Sequence, residues 1–252
     1  MNRQAYLKRI DIDETELSPT VETLRLLQRQ HLLNVPFENL DIHWKRIVLD
    51  TDKFCKKIVE EKRGGFCYEL NGLFNELLQD VGFETRLVSA RVCNPKTKVF
   101  GPEFDHMMIV VSMGDEEFVA DVGFGDFVAE PLRIDPDIEQ TDREGVFVVR
   151  EDEDVFVVAK KVGGAWEPEC RFGNAGRQLS EYAGLCEFHQ TSPDSHFTKG
   201  RICSLMTENG RKTLTEKSFI VTVNGAKTET AVESTEEFDR ILKQEFQIEK
   251  FN

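Results

Sequence analysis

The apolar positions change their period along the chain, and each change predicts a change of structure. Val21, Leu24 and Leu27 recur at helical spacing. Ser18-Pro19 reads as the entry to that helix, with proline at the first helical position and Glu22 in the first turn. Val35-Pro36-Phe37 is the stop, because the residue before a proline is pushed away from the α region. A second helix follows Gly64-Gly65. Leu70, Leu73, Phe74, Leu77, Leu78 and Val81 form one apolar stripe, and Gly82 is its natural end.

Strand patterns then take over. Residues 85–93 are rich in Val, Leu and Thr, and 107–111 and 118–122 are two short apolar runs separated by Gly114-Asp115-Glu116. That arrangement predicts a hairpin, as do 146–149 and 155–158 around the acidic turn 151–154. Strands so dense after a helical start suggest a β-barrel or sandwich. The last part is mixed. Residues 219–223 and 227–232 flank Asn224-Gly225, a strong hairpin signal. Ser234-Thr235-Glu236-Glu237 reads as a capping box for a helix with Phe238, Ile241, Leu242 and Phe246 on one face. No repeat or low-complexity linker separates these parts.

Length and composition narrow the function. The 252 residues suffice for one large domain or two to three small ones sharing a core, and 40% hydrophobic with 31% charged residues fits a folded soluble chain. A net charge of −14 without a long basic run is a poor match to nucleic acid or an anionic membrane. A polyanionic ligand would need local positive charge. No apolar run is long enough to span a membrane, and the N-terminus opens no signal-peptide core, so the expected location is cytoplasmic. The six scattered cysteines are expected to be reduced thiols.

Cys67 is the first candidate for chemistry. It follows a glycine pair, which allows a tight turn and close approach of a substrate, and it starts a helix. A helix N-terminus offers unpaired N–H groups and partial positive charge, which favour the reactive thiolate. His106 begins a strand and Asp121 lies near the end of the next. If the turn centres on Gly114-Asp115, facing residues sum to about 229, and His106 and Asp121 sit one diagonal step off that register. A carboxylate there would orient the imidazole. Cys, His and Asp in this order give a papain-like arrangement, which proteases, transglutaminases and thiol acyltransferases share.

Longer motifs separate these classes. Residues 63–71, Arg-Gly-Gly-Phe-Cys-Tyr-Glu-Leu-Asn, resemble the R-G-G-x-C-[FY]-E-x-N signature of the arylamine N-acetyltransferases, in their bacterial type. Pro36-Phe37-Glu38-Asn39-Leu40 is similar to that family's P-F-E-N-L segment. Asp105-His106 and Asp121-Val122-Gly123-Phe124-Gly125 fall where the family places its His and Asp, and the likeness runs over essentially the whole chain. The resemblance implies an α+β fold: a helical domain over 1–84 carrying the nucleophile, a central antiparallel β-barrel over 85–194 carrying His and Asp, and an α/β lid over 195–252. It implies transfer of acetyl from acetyl-CoA to arylamines, arylhydrazines or N-hydroxyarylamines by a ping-pong route, in a monomer or homodimer that handles xenobiotics.

The family's roles carry over by position. Cys67, His106 and Asp121 are the expected catalytic residues, and Phe37 and Phe124 the expected acceptor-pocket walls. Gly101, Pro102 and Phe104 fall in the loop expected beside coenzyme A, and Arg63 with Glu38 matches a structural ion pair. The resemblance implies acetyl-CoA as a substrate, with no tightly bound cofactor and no metal. One departure is Asp105, where a hydroxyl or small residue is expected; facing inward, it would add a second carboxylate near His106. A peptidase or transglutaminase-like thiol enzyme is the nearest alternative, but Tyr68 stands where those motifs set a Trp close after the cysteine. A lesser alternative is a non-catalytic zinc or ligand module built from Cys186, His189, His196 and Cys203, although the gaps are not those of a known structural site. His31 and His43 read as helix-surface and loop histidines, and Cys55, Cys93 and Cys170 as structural thiols.

Overall fold

The computed structural model describes residues 1–13 and 16–249; residues 250–252, the end of the expected lid, lie outside them. The chain opens with helices α1 (Arg3–Arg9) and α2 (Val21–Asn34). α2 begins two residues later than Ser18-Pro19 suggested. The Thr20 hydroxyl accepts the Thr23 N–H (3.2 Å) and caps the helix, so proline stays outside the first turn. The stop at Val35 is as expected. After a two-residue strand β1 (Phe37–Glu38) come short helices α3 (Leu40–Trp44) and α4 (Thr51–Cys55), and α4 runs into a π-helical turn, Lys56–Glu60.

Helix α5 (Cys67–Val81) is the axis of this part, with Gly82 in the left-handed conformation at its end. Its apolar stripe predicts one buried face, yet 12 of its 15 residues are buried, the polar Glu69, Asn71 and Asn75 among them. α1, α2 and α4 cover one side and the hairpin strands the other, in a single core with Leu24, Phe54, Leu73, Phe74 and Ile109. Buried polar side chains in such a helix must find partners, and those partners build the site.

The middle of the chain is an eight-stranded antiparallel sheet: β2 (Glu84–Val92), β3 (His106–Met113), β4 (Glu116–Ala120), β5 (Leu132–Arg133), β6 (Gln140–Asp142), β7 (Gly145–Asp152), β8 (Val155–Val162) and β9 (Ala165–Gly173). The order is β5-β4-β3-β2-β9-β8-β7-β6. The sheet curls into a barrel around Val88, Met108, Val119, Phe147 and Phe172. Its outer strands meet through one side chain: Gln140 accepts the Arg133 N–H and donates to the Arg133 carbonyl, both at 2.8 Å. The predicted hairpins are present, in the predicted register: Met113 pairs with Glu116 and Ile109 with Ala120. Strand β9 gives no clear pattern because it is polar and holds Pro168, which the ladder accommodates at a register shift beside Val158 and Ala159.

Helix α6 (Ala183–Thr191) leads to a five-stranded sheet of β10 (Ile202–Thr207), β11 (Gly210–Thr215), β12 (Ser218–Val223) and β13 (Ala226–Ala231), with β1 completing the edge beside β10. Asn224 and Gly225 both have positive φ, 49° and 80°, as a two-residue hairpin turn requires. Helix α7 (Thr235–Phe246) packs Phe238, Ile241, Leu242 and Phe246 on this sheet. Ser234 caps it through the Glu237 N–H at 3.2 Å, while the Glu237 carboxylate reaches one residue further back than a capping box, to the Glu233 N–H. The chain is thus an α+β protein of helices, antiparallel barrel and C-terminal α/β layer.

Candidate active site

Cys67 is the first residue of α5, as the glycine pair before it suggested, but the glycines serve a different neighbour. A Cβ on Gly64 would collide with the Pro36 carbonyl oxygen, and one on Gly65 would stand 2.8 Å from Glu69 Cβ. The space is filled by the chain itself: Glu38 donates its N–H to Gly65 O at 2.8 Å, and Gly65 donates to Pro36 O at 3.3 Å. The Glu69 carboxylate accepts the Phe66 N–H (3.1 Å) and holds the residue before the cysteine. Burial pushes the Cys67 thiol well above its ordinary pKa, and the carboxylates of Asp121 and Asp105 push it the same way. These effects outweigh the backbone hydrogen bond from Tyr68, which works in the opposite direction.

His106 begins β3 and Asp121 follows β4 directly. Beyond Ile109 and Ala120 the ladder stops, and Asp121 reaches across so that its Oδ2 lies 2.6 Å from His106 Nε2. Both side chains are almost wholly buried. With Nε2 committed to the carboxylate, Nδ1 is the ring nitrogen left for another partner. Asp121 is fixed in turn: its Oδ1 accepts from Asn71 Nδ2 (2.8 Å) and from the Gly123 N–H (2.7 Å), and its own N–H donates to Gln28 Oε1 (3.2 Å).

Asn71 lies one turn after Cys67 on the same helix face. Besides Asp121 it donates to the Met107 carbonyl (2.6 Å) and accepts the Val122 N–H (2.9 Å). One amide thus ties the cysteine helix to the histidine strand and the aspartate loop. No sequence-based expectation gives Asn71 a role, although a polar residue inside an apolar stripe four after the cysteine is a usable signal. Gly123 completes the junction, since a Cβ there would stand 2.8 Å from Cys67 Cα.

Cys67 and His106 line one cavity of about 560 Å³ with Phe37, Phe124, Gly101 and Pro102. Phe124 sets its ring edge-to-face on His106, 4.9 Å between centroids, and stacks on Phe127 behind it. A second cavity of about 630 Å³ shares Phe37, Phe124, His196 and Phe197 with the first and is lined also by Lys199, Arg201, Arg211 and Lys217. Glu216 and Asp126 also line it and pair with Arg201 (2.6 Å) and Arg211 (3.7 Å), so the positive charge of this cavity rests on Lys199 and Lys217. Phe104 is not among the residues that line either cavity. Its left-handed backbone (φ 65°) puts its ring against Tyr182 and Arg177, and its carbonyl accepts from Tyr68 Oη at 2.6 Å.

Beneath the site the expected Arg63–Glu38 pair (2.6 Å) belongs to a larger buried cluster. Arg63 also meets Asp41 (3.0 Å), and Lys57 meets Glu69 (2.9 Å), Asp41 (3.0 Å) and Glu38 (3.5 Å). Burial opposes the Lys57 charge, but the three carboxylates outweigh it and raise its pKa. Lys57, Asp41 and Glu69 carry no sequence signal of this role, because charged residues at helical spacing read as a solvated face.

Other readings change. His31 is fully buried rather than on the surface; it bonds the Tyr6 hydroxyl (3.0 Å), and burial pushes its pKa down to about 3. His43 is exposed in α3, with its Nε2 3.0 Å from the Phe197 carbonyl. The zinc alternative fails on position: Cys186 packs with Phe66 and Tyr182, whereas Cys203 is buried in the separate core of the C-terminal sheet. Among the described residues no group of three or more His, Cys, Asp or Glu side chains is placed to hold a metal. All six cysteines are free thiols.

Comparison with known proteins agrees with fold and motif. A family model described as N-acetyltransferase matches residues 20–250. The arylamine N-acetyltransferase of Escherichia coli is 32% identical over 81% of this chain and 74% of its own length. The solved structure of the arylamine N-acetyltransferase from Salmonella typhimurium superposes with a TM-score of 0.91 at 29% identity, covering 97% of this chain and 90% of that one. That of the Mycobacterium marinum arylamine N-acetyltransferase in complex with CoA gives 0.88 at 25% identity, covering 98% and 93%. The chain belongs to the arylamine N-acetyltransferase family.

Proposed function

We propose that the chain transfers the acetyl group of acetyl-CoA to aromatic amines, hydrazines and N-hydroxyarylamines through an acetyl thioester on Cys67. The observation that carries this reading is the buried His106–Asp121 pair (2.6 Å), whose imidazole lines the same cavity as Cys67. Asp121 holds Nε2, so His106 Nδ1 takes the thiol proton. The resulting imidazolium supplies the cation that the buried sulfur otherwise lacks.

The thiolate attacks the thioester carbonyl of acetyl-CoA. The carbon–sulfur bond to coenzyme A breaks, the departing thiolate takes the proton from His106, and acetyl-Cys67 remains. An amine nitrogen then attacks the acetyl carbon, passes a proton to His106, and expels the Cys67 thiolate. Phe37 and Phe124 offer flat apolar walls suited to an aryl ring. Gly101 and Pro102 wall the thioester-bearing end of the donor, and the donor's phosphates lie toward Lys199 and Lys217 of the second cavity, where the positive charge is.

Intact mass after mixing with acetyl-CoA alone tests the reading. One acetyl group per chain, mapped to Cys67, with one equivalent of free coenzyme A thiol and no amine present, is the expected result. Release of thiol without an acetylated chain, or acetylation elsewhere, overturns it.

A further inference from the structure

Asp105 immediately precedes His106 and takes no part in the hydrogen bond that orients it: Asp121 holds Nε2. Its carboxylate lines the same cavity as Cys67, His106 and Phe124. The side chain is 18% exposed, with Oδ1 3.6 Å from His189 Nε2, and its Oδ2 faces Gly101, where a Cβ would collide with it. Among the described residues that histidine is the basic side chain within ion-pair distance, and it pairs as an ion only when protonated. Burial pushes down His189, which lies behind the wall, and His196, which lines the cavity, so neither ring supplies a fixed positive charge there. The negative charge of Asp105 is therefore not offset by a fixed cation. Its field reaches the reacting sulfur, where it adds to the upward shift of Cys67.

We propose that Asp105 is a specificity-determining residue that sets the charge preference of the acceptor cavity, favouring neutral and cationic aromatic amines and disfavouring those that carry a carboxylate on the ring. The inference rests on the acetyl-transfer reading above and adds the class of acceptor. A ring held between Phe37 and Phe124 with its nitrogen at Cys67 has its substituents inside the same cavity as Asp105. A charge a few ångströms from a carboxylate at a protein's effective dielectric changes affinity by about tenfold or more. The donor's phosphates lie away from Asp105, toward Lys199 and Lys217 of the second cavity.

The test compares 4-aminobenzoate, its neutral isostere 4-aminobenzamide and 4-aminophenyltrimethylammonium as acceptors, in the wild type and in Asp105→Asn and Asp105→Glu. Ratios of kcat/KM between variants cancel the intrinsic nucleophilicity of each amine. For Asp105→Asn, the expected result is a rise of about tenfold for the benzoate relative to the benzamide and a comparable fall for the cation. Asp105→Glu, which keeps the charge, is expected to keep the wild-type order. Ratios unchanged in Asp105→Asn overturn the selectivity, and so does a loss of selectivity in Asp105→Glu equal to that in Asp105→Asn. Acetyl-enzyme formation, followed by intact mass in each variant, keeps the two readings apart. A normal acetyl-enzyme with unchanged acceptor ratios sinks the selectivity alone; no acetyl-enzyme in the wild type sinks the acetyl-transfer reading and the selectivity with it.

Discussion

At the scale of single residues, the environment of Cys67 works against its own ionisation. The backbone N–H groups of a helix start favour the anion, but burial and two carboxylates favour the thiol. The proposed role of His106 follows from that imbalance and gives it a measurable signature. In His106→Ala, iodoacetamide labelling of Cys67 at neutral pH is expected to fall by about a hundredfold or more, because a thiol of raised pKa is less than about 1% ionised there. The sign with pH is fixed as well: deprotonation makes the nucleophile, so labelling of the variant should climb steadily as pH rises past the ordinary thiol range. Wild-type-like labelling in the variant would show that the imidazole is not the cation. Asn71 offers a second reading at this scale. Asn71→Ala leaves the Val122 N–H and the Met107 carbonyl without their buried partner, an expected cost of about 1–3 kcal/mol each. Thermal unfolding together with kcat should fall in this variant; full activity at reduced stability would mean the amide supports the fold and not the alignment.

At the scale of elements, the site is a three-way junction of a helix start, a strand start and a strand end, and Gly123 sets how closely they meet. Gly123→Ala adds a methyl 2.8 Å from Cys67 Cα and 2.9 Å from Asn71 Nδ2, so loop and helix must separate. A misplacement of about an ångström is expected to cost about a hundredfold in kcat, with acetyl-CoA turnover as the measurement; an unaffected kcat would show that the junction tolerates the shift. Much of this junction was legible in the chain. The hairpin of β3 and β4 declares itself through a tight turn between apolar runs, and its register follows from arithmetic. The stops at Val35 and Gly82 come from local backbone chemistry. The partners of Gly64 and Gly65 were not legible: a glycine states that something comes close, and only the fold reveals that it is Pro36 and Glu69. β9 was not legible for a related reason, since Pro168 at a register shift follows tertiary demands rather than local preference.

At the scale of the whole molecule, the buried cluster of Lys57, Arg63, Glu38, Asp41 and Glu69 joins the helical part to the base of the active site. It holds two cations against three carboxylates. Lys57→Met leaves Glu69 without its ion-pair partner and Arg63 with Glu38 and Asp41, the latter also 3.6 Å from Lys45, and the expected loss is about 3–5 kcal/mol near neutral pH. In the wild type, burial works to raise Asp41, but Lys57 and Arg63 hold it below its ordinary value; its contribution is present at neutral pH and lost as pH falls through the depressed pKa. Burial raises Glu69, so its ionisation costs stability at neutral pH and protonation relieves that cost. Removing Lys57 pushes both carboxyls upward. The deficit of the variant should therefore shrink as the pH is lowered from about 7 to about 4.5, as urea unfolding at the two values would show. A deficit that grows in acid would contradict the assignment. The pairing of β1 with β10 has a further consequence at this scale. Phe37, which walls both cavities, belongs to a strand whose neighbour, starting at Ile202, emerges from the ribosome only after most of the chain has been made. During synthesis the nucleophile and the wall residues of its own cavity are thus made before the far side of the second cavity, residues 199–217, and a chain cut short at that point keeps the first set without the second.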